Sequence, residues 1–190
     1  MQANWLKLIT AIALIVFGAL GRILIDLPNV ETVTVVSLLG GALLGGIYTF
    51  IVPLATIALT DMYIGNDSIL LFTWSAWAVI GLLGWLLRKS QKDYVFGLKM
   101  TIMGVAASLF FFIWTNFGVW LLWPQMYSHT WLGLWQCYAM GLPFLKMSLL
   151  GNLVIIPVVV FPAIFVFRWG KKFFTLPVVK PKLPKISSSR

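Results

Sequence analysis

The chain has 190 residues, of which 61% are hydrophobic and only 10% are charged. Soluble domains carry about 25% charged residues, so this composition excludes a disordered chain and argues against a water-soluble globule. The net charge is +9, which we attribute to the basic loops of a membrane protein rather than to nucleic-acid binding. One cysteine and one histidine exclude an intrachain disulfide and are too few for a zinc site.

The first apolar run, at about 5–25, is predicted to be a transmembrane helix. A helix needs roughly 20 apolar residues to cross about 30 Å of hydrocarbon, and only Lys7 and Arg22 interrupt this run. The basic start and the small residues at 19–21 also resemble a signal peptide with its cleavage site. We expect the segment to be retained as a helix.

The second apolar run, residues 32–60, contains no charged residue over 29 positions. It is too long for one membrane span and short for two. The pair Gly45-Gly46 lies in its middle and is a natural place for the chain to reverse. We therefore predict two short helices, at about 30–45 and 47–61, which would tilt little or be partly shielded from lipid by their neighbours.

Three further spans complete a predicted domain of six transmembrane helices, residues 1–170. They lie at about 70–87, 98–122 and 142–167. The remaining segment, 171–190, is rich in Pro, Lys and Ser and is predicted to be a basic cytoplasmic tail. Such a tail would rest against anionic lipid, and docking to a partner protein is the alternative.

The distribution of charge predicts the topology of this all-α integral membrane protein. Six spans place both termini on the same side. If that side is the cytoplasm, 12 of the 14 basic residues lie inside, as the positive-inside rule requires. Reading 32–60 as a single span would instead move the basic 88–99 segment outside. With six spans and cytoplasmic termini, four of the five acidic residues lie at the outer face: Asp26, Glu31, Asp61 and Asp67.

Ionisable and amide side chains within the spans are the first candidates for a site, because such groups are costly in a membrane. Arg22 shares a helical face with Asp26 and could pair with it, or its side chain could extend to the outer interface. Asp61 lies at the end of the third helix, where the alternative is a solvated helix end. Lys146 lies in the sixth helix, with extension to the interface as its alternative. Asn152 is expected to bridge helices.

Aromatic residues form the second group of candidates. Asn116 and Trp120 are four residues apart and share a face of the fifth helix. Aromatic residues continue through the predicted outer loop to Tyr138. This density indicates either an interfacial aromatic belt or a stacking pocket for a flat organic ligand. Cys137 and His129 are expected to be a small apolar residue and a polar surface residue, without a catalytic pairing.

Four segments of the chain resemble an uncharacterised family of small bacterial membrane proteins. The most specific is Thr115-Asn-Phe-Gly-Val-Trp120, and the resemblance covers roughly 15–165. That family is in turn similar in size and helix count to the S components of energy-coupling-factor (ECF) vitamin transporters. The other three segments are 26–41, 52–61 and 137–152.

The resemblance implies a six-helix, S-component-like bundle in the bacterial cytoplasmic membrane. Such a protein captures a small organic nutrient from outside and docks on a transmembrane scaffold driven by ATPase subunits. The positions matching an outward-facing substrate pocket are Arg22, Asp61, Asn116, Trp120 and Tyr138.

Lys146 joins these candidates because topology leaves only Arg22 and Lys146 unexplained among the basic residues. No nucleotide-binding loop or hydrolase motif is present in the sequence, so we expect neither enzymatic activity nor a cofactor or metal. The rival interpretation is a structural or scaffold membrane protein without a ligand.

Overall fold

A computed structural model of the chain describes residues 2–25, 27–65, 69–90 and 93–174. Within these ranges all regular structure is helical. The six α-helices are α1 (Gln2–Leu24), α2 (Val33–Leu39), α3 (Tyr48–Ile64), α4 (Leu70–Leu86), α5 (Asp93–Leu122) and α6 (Trp131–Phe174). A π-helical turn, Gly40–Leu44, continues α2, and a 3-10 turn, Leu87–Lys89, continues α4.

Four of these helices, α1, α4, α5 and α6, are long and apolar enough to cross a membrane, judged by length and composition. The segments Val33–Leu44 and Tyr48–Ile64 are shorter apolar helices. Large apolar side chains are exposed on the long helices, for example Ile9 on α1 and Val158 on α6. An all-α chain with this surface has the features of a membrane protein, because apolar faces of this extent suit lipid better than water.

The short helix α2 is the centre of the bundle. All seven of its residues are buried, and it packs against each of the other five helices. With its π-helical turn it rises less than about 20 Å, which is too short to face lipid along a full span. The expectation that neighbouring helices shield one of the two short helices is therefore confirmed for α2.

The chain reverses between α2 and α3 at Gly45 and Gly46, as predicted. Both residues have positive φ, +62° and +58°, a conformation that glycine adopts without the steric cost that a Cβ atom imposes. The predicted helices at 30–45 and 47–61 thus correspond to Val33–Leu44 and Tyr48–Ile64.

The sixth helix begins at Trp131, whereas the sequence predicted its start at about 142. Residues 131–141, assigned to an outer loop by their aromatic content, instead form the first three turns of α6. The Thr130 hydroxyl accepts a hydrogen bond of 3.1 Å from the backbone N–H of Gly133, which is the geometry of a helix N-cap. The connection between α5 and α6 is consequently short, at residues 123–130.

A buried polar network joins three helices near the middle of the bundle. Asn152 of α6 is 4% exposed; its Nδ2 donates to Ser108 Oγ of α5 at 2.8 Å and lies 3.4 Å from Thr34 Oγ1 of α2. The Ser108 hydroxyl in turn donates to the Gly104 carbonyl oxygen. The helix-bridging interpretation of Asn152 is confirmed, and this residue belongs to the packing of the bundle.

Candidate functional site

Arg22 lies in the last turn of α1 and contacts polar groups on two other segments. Its Nη1 donates to Asp61 Oδ1 at 2.9 Å and to Thr60 Oγ1 at 2.7 Å, both on α3. Its Nε lies 3.5 Å from Glu31 Oε2, in the connection between α1 and α2. The structure therefore brings together two predicted site residues, Arg22 and Asp61. The predicted partner Asp26 lies outside the described residues.

Asp61 is held by a second helix through its other oxygen. Trp74 Nε1 on α4 donates to Asp61 Oδ2 at 2.9 Å. Only 8% of the Asp61 side chain and 19% of the Arg22 side chain is exposed, so Asp61 is not a solvated helix end. Charges this well buried persist when they are paired and hydrogen-bonded. We call Arg22, Glu31, Thr60, Asp61 and Trp74 the Arg22 cluster.

The charges of the Arg22 cluster do not balance. Among the described residues it contains one guanidinium, on Arg22, and two carboxyl groups, on Glu31 and Asp61. Burial raises the pKa of Glu31 above its ordinary value of 4.5; Arg22 opposes this shift and Asp61 adds to it. Desolvation is the largest of these causes, so the cluster favours either a protonated Glu31 or an additional positive charge beside it.

The raised pKa of Glu31 predicts a pH-dependent stability. The folded protein holds this proton more tightly than the unfolded chain, so the stabilising contribution is complete below about pH 4.5 and is lost as the pH rises through the folded-state pKa. The neutral variant Glu31→Gln should lack this loss. The prediction is checked by the melting temperatures of both proteins in detergent, measured from below pH 4.5 to above the folded-state pKa of Glu31. Parallel curves for the two proteins would contradict it.

The remaining aromatic and amide candidates lie where α5 meets α6, and Asn116 is part of that contact. Its Nδ2 donates to the Phe112 carbonyl oxygen at 2.8 Å. Its backbone carbonyl oxygen is 3.3 Å from Cys137 Sγ. A Cβ atom on Gly141 would lie only 2.5 Å from Asn116 Oδ1. The Asn116 amide thus fills the space that Gly141 leaves between the two helices.

Trp120 and Tyr138 also make hydrogen bonds at the contact between α5 and α6. Trp120 Nε1 donates to the Ser128 carbonyl oxygen at 2.9 Å, and its own carbonyl oxygen lies 3.0 Å from His129 Nε2. Tyr138 Oη donates to the Ile113 carbonyl oxygen at 3.1 Å. Tyr138 lies on α6 itself because that helix begins earlier than predicted. These contacts join Trp120 and Tyr138 to α5 and its turn, and none of them reaches the Arg22 cluster.

A row of aromatic rings joins α4 to Trp120 on α5, and the sequence did not reveal it. Phe72 of α4 packs against Trp114 and Phe117 of α5 at centroid distances of 5.3 and 6.3 Å. Phe117 continues to Trp120 at 5.6 Å. Phe72 lies two residues before Trp74, a spacing that places the two side chains on different faces of α4. We call Phe72, Trp114, Phe117 and Trp120 the aromatic row; the spacing of its α5 members by three residues was the available signal.

Lys146 lies on α6 and is exposed. In the part of the chain that the structure describes, no hydrogen bond or ion pair involves its ammonium group. It lies five residues before Gly151, which packs against Val30. The described contacts thus join Lys146 neither to the Arg22 cluster nor to the aromatic row, and its role in substrate binding stays a prediction.

The site members that the sequence missed are Glu31, Thr60 and Trp74. Glu31 was assigned only to the outer face, and Trp74 was read as one apolar residue of a span. Their role depends on the ends of α1 and α3 lying beside the start of α4, which no local pattern encodes. Across the described residues, no group of three His, Cys, Asp or Glu side chains is placed to hold a metal ion.

Comparison with known proteins identifies a family. No curated protein and no solved structure matches the chain. The sequence model of "Family of unknown function (DUF6580)" matches residues 2–175, which confirms the predicted resemblance to an uncharacterised family. Since this match spans nearly the whole chain, the protein belongs to the DUF6580 family.

Proposed function

We propose that this protein is the substrate-binding membrane subunit of a transporter that takes up a small, vitamin-like organic nutrient. The observation that supports it is the Arg22 cluster, a set of largely buried charges that are unbalanced among the described residues and are held by three helices at one end of the bundle. Ionisable groups are costly in a membrane protein and commonly mark a ligand site. The size and helix count that the sequence analysis found similar to those of ECF S components agree with this proposal.

The proposed topology has six spans with both termini in the cytoplasm of a bacterium. In that orientation the Arg22 cluster, at the end of α1 and α3 and the start of α4, faces the outside. The positive-inside rule, applied to the 12 basic residues counted above, supports this orientation. A nutrient arriving from outside would therefore meet the Arg22 cluster first, and the cytoplasmic end would remain available for a scaffold and ATPase partners.

The proposed ligand is held by charge at one end and by stacking at the other. Arg22 and Asp61 would exchange part of their mutual bonding for polar groups of the ligand, and Glu31 favours a ligand that carries a cationic group or N–H donors. The aromatic row lies at the same end of the bundle, at the start of α4 and the end of α5, and offers ring faces for a flat heterocycle. Trp120 and Asn116 would contact the flat part of the ligand, with Tyr138 beside them.

A thermal-shift screen of the purified full-length protein against water-soluble vitamins tests this function. A ligand at 100 times its Kd stabilises a protein by about 2.7 kcal/mol, so a true substrate should produce a clear rise in melting temperature. Trp74→Phe removes the N–H bonded to Asp61 while keeping an aromatic ring. We expect about tenfold weaker binding in this variant. The Asp61 carboxylate would lose the hydrogen bond from Trp74 that orients it toward the ligand.

The matched control is Trp85→Phe on the same helix. Trp85 is 47% exposed and lies three turns from Trp74, at the other end of α4, so this variant should bind as the native protein does. If no vitamin raises the melting temperature and no ATPase subunit copurifies, the transport proposal is wrong.

The second proposed function is a scaffold membrane protein without a ligand. The observation that favours it is that Asn116, Trp120 and Tyr138 already use their polar atoms in contacts between α5, its turn and α6. Alanine at Asn116 or Trp120 separates the two functions. If the protein is a scaffold, a variant should lose function only to the extent that it fails to fold. If it is a substrate-binding subunit, the variant should still fold but no longer support uptake. We propose no enzymatic step for either function.

A further inference from the structure

A second feature lies at the opposite end of the bundle from the Arg22 cluster. Where α4 ends and α5 begins, an open cleft of about 650 Å³ lies between the two helices. Leu86, Ile102 and Met103 form its apolar wall, and Lys89, Ser90 and Lys99 form its polar rim. We call it the lysine cleft. It lies near the turn at Gly45, since Arg88, the residue before Lys89, contacts that glycine.

The polar rim of the lysine cleft is basic. Lys99 Nζ donates to Ser90 Oγ at 2.7 Å, which positions its ammonium group over the rim. Lys89 is exposed on the 3-10 turn that precedes Ser90. Over the segment 86–103 the sequence contains four basic residues and a single acid, Asp93. An anionic group is therefore the complement of this rim.

The wall below the rim is apolar and open to the surface. Leu86 is 62% exposed and Ile102 is 59% exposed, and both belong to helices long and apolar enough to cross a membrane. Ile102 is three residues beyond Lys99, so it lies one helical turn farther from the rim on the same side of α5. A ligand that fits both parts has a negative head and a hydrocarbon tail parallel to the helices.

We propose that the lysine cleft binds one anionic phospholipid of the surrounding bilayer, with the phosphate at Lys89, Lys99 and Ser90 and an acyl chain along Ile102 and Met103. Basic pockets at the ends of membrane helices bind such head groups, and each Lys or Arg near an anionic surface contributes about 1 kcal/mol. The cleft is separate from the Arg22 cluster, so this site does not depend on the proposed nutrient.

Native mass spectrometry of the full-length protein in detergent tests the site, with phosphatidylglycerol and phosphatidylcholine of the same acyl chains as probes. We expect phosphatidylglycerol to bind more tightly. The double variant Lys89→Gln/Lys99→Gln should weaken its binding about 30-fold, equivalent to about 2 kcal/mol. The control Lys7→Gln, on α1, should leave the affinity unchanged. Equal binding of the two lipids, or an unchanged preference in the double variant, would overturn the proposal.

Two further experiments distinguish a specific lipid site from a general attraction between charges. Ile102→Trp keeps both lysines and adds an indole to the wall, so it should weaken phosphatidylglycerol binding if the acyl chain lies there; unchanged binding would overturn the assignment of the wall. Inorganic phosphate at millimolar concentration should not displace the lipid. Full displacement by inorganic phosphate would identify the ligand as a soluble anion and overturn the lipid proposal.

Discussion

Replacement of Asp61 by alanine is expected to destabilise the protein by about 3 kcal/mol. Removing one partner of a buried ion pair costs about 3–5 kcal/mol, because the other charge is left unpaired. Here Arg22, which is 19% exposed, would keep only Glu31 as a charged neighbour among the described residues, and the Trp74 N–H would lose its acceptor. The expected value lies at the lower end of the range because Glu31 compensates in part.

The measurement is equilibrium unfolding in mixed micelles, with a double variant that removes both charges as the comparison. Arg22→Met/Asp61→Leu removes both charges and supplies apolar groups of similar size, which for buried pairs is often nearly neutral. We therefore expect the double variant to be more stable than Asp61→Ala. If Asp61→Ala costs less than about 0.5 kcal/mol, the pair behaves as an exposed salt bridge and the description of the Arg22 cluster as buried is wrong.

Replacement of Gly84 by leucine is also expected to destabilise the protein by about 3 kcal/mol. The helices α2 and α4 approach each other so closely that a Cβ atom on Gly84 would overlap the Leu38 backbone carbonyl oxygen. A Cβ on Gly41 would overlap the Gly81 carbonyl oxygen in the same contact. Backbone atoms cannot move aside as a flexible side chain can, so the two helices must separate. We therefore expect a destabilisation at the upper end of the range of about 1–3 kcal/mol that is typical of overpacking.

The control for Gly84→Leu is Leu71→Phe on the same helix. Leu71 is 77% exposed, so a larger side chain there meets no packed neighbour and should change stability by less than about 0.5 kcal/mol. Thermal unfolding of both variants in detergent gives the comparison. Similar melting temperatures for Gly84→Leu and Leu71→Phe would show that α2 and α4 are not in close contact.

The fold was largely predictable because its signals are local. Long apolar runs predict α1, α4 and α5 directly, and their ends agree with the structure to within five residues. The Gly45-Gly46 pair was sufficient to divide the charge-free run into α2 and α3, because two positive-φ residues in succession are a property of that dipeptide. The start of α6 was not predictable from apolar content, because a hydroxyl cap at Thr130 and an aromatic first segment fix it.

The candidate site was predictable only in part. Arg22 and Asp61 were found because a charge in an apolar segment is conspicuous without any structural information. Glu31 and Trp74 were missed since each is ordinary in its own surroundings and acquires a role only through contact with Asp61 or Arg22. Asn116 was selected by the helical face it shares with Trp120, and Tyr138 by the family resemblance; the structure shows that their polar atoms bond the backbone of α5.

The sequence by itself determined that this is an all-helical membrane protein with its positive charge concentrated in a few segments, because hydropathy and charge are properties of short stretches of chain. Only the tertiary structure decided that α2 is the buried centre, that Arg22 bonds Asp61 rather than extending to an interface, and that Lys89 and Lys99 border one cleft. These features depend on which helix ends meet in space, and residues 22 and 61 have no local relationship until α1 and α3 pack side by side.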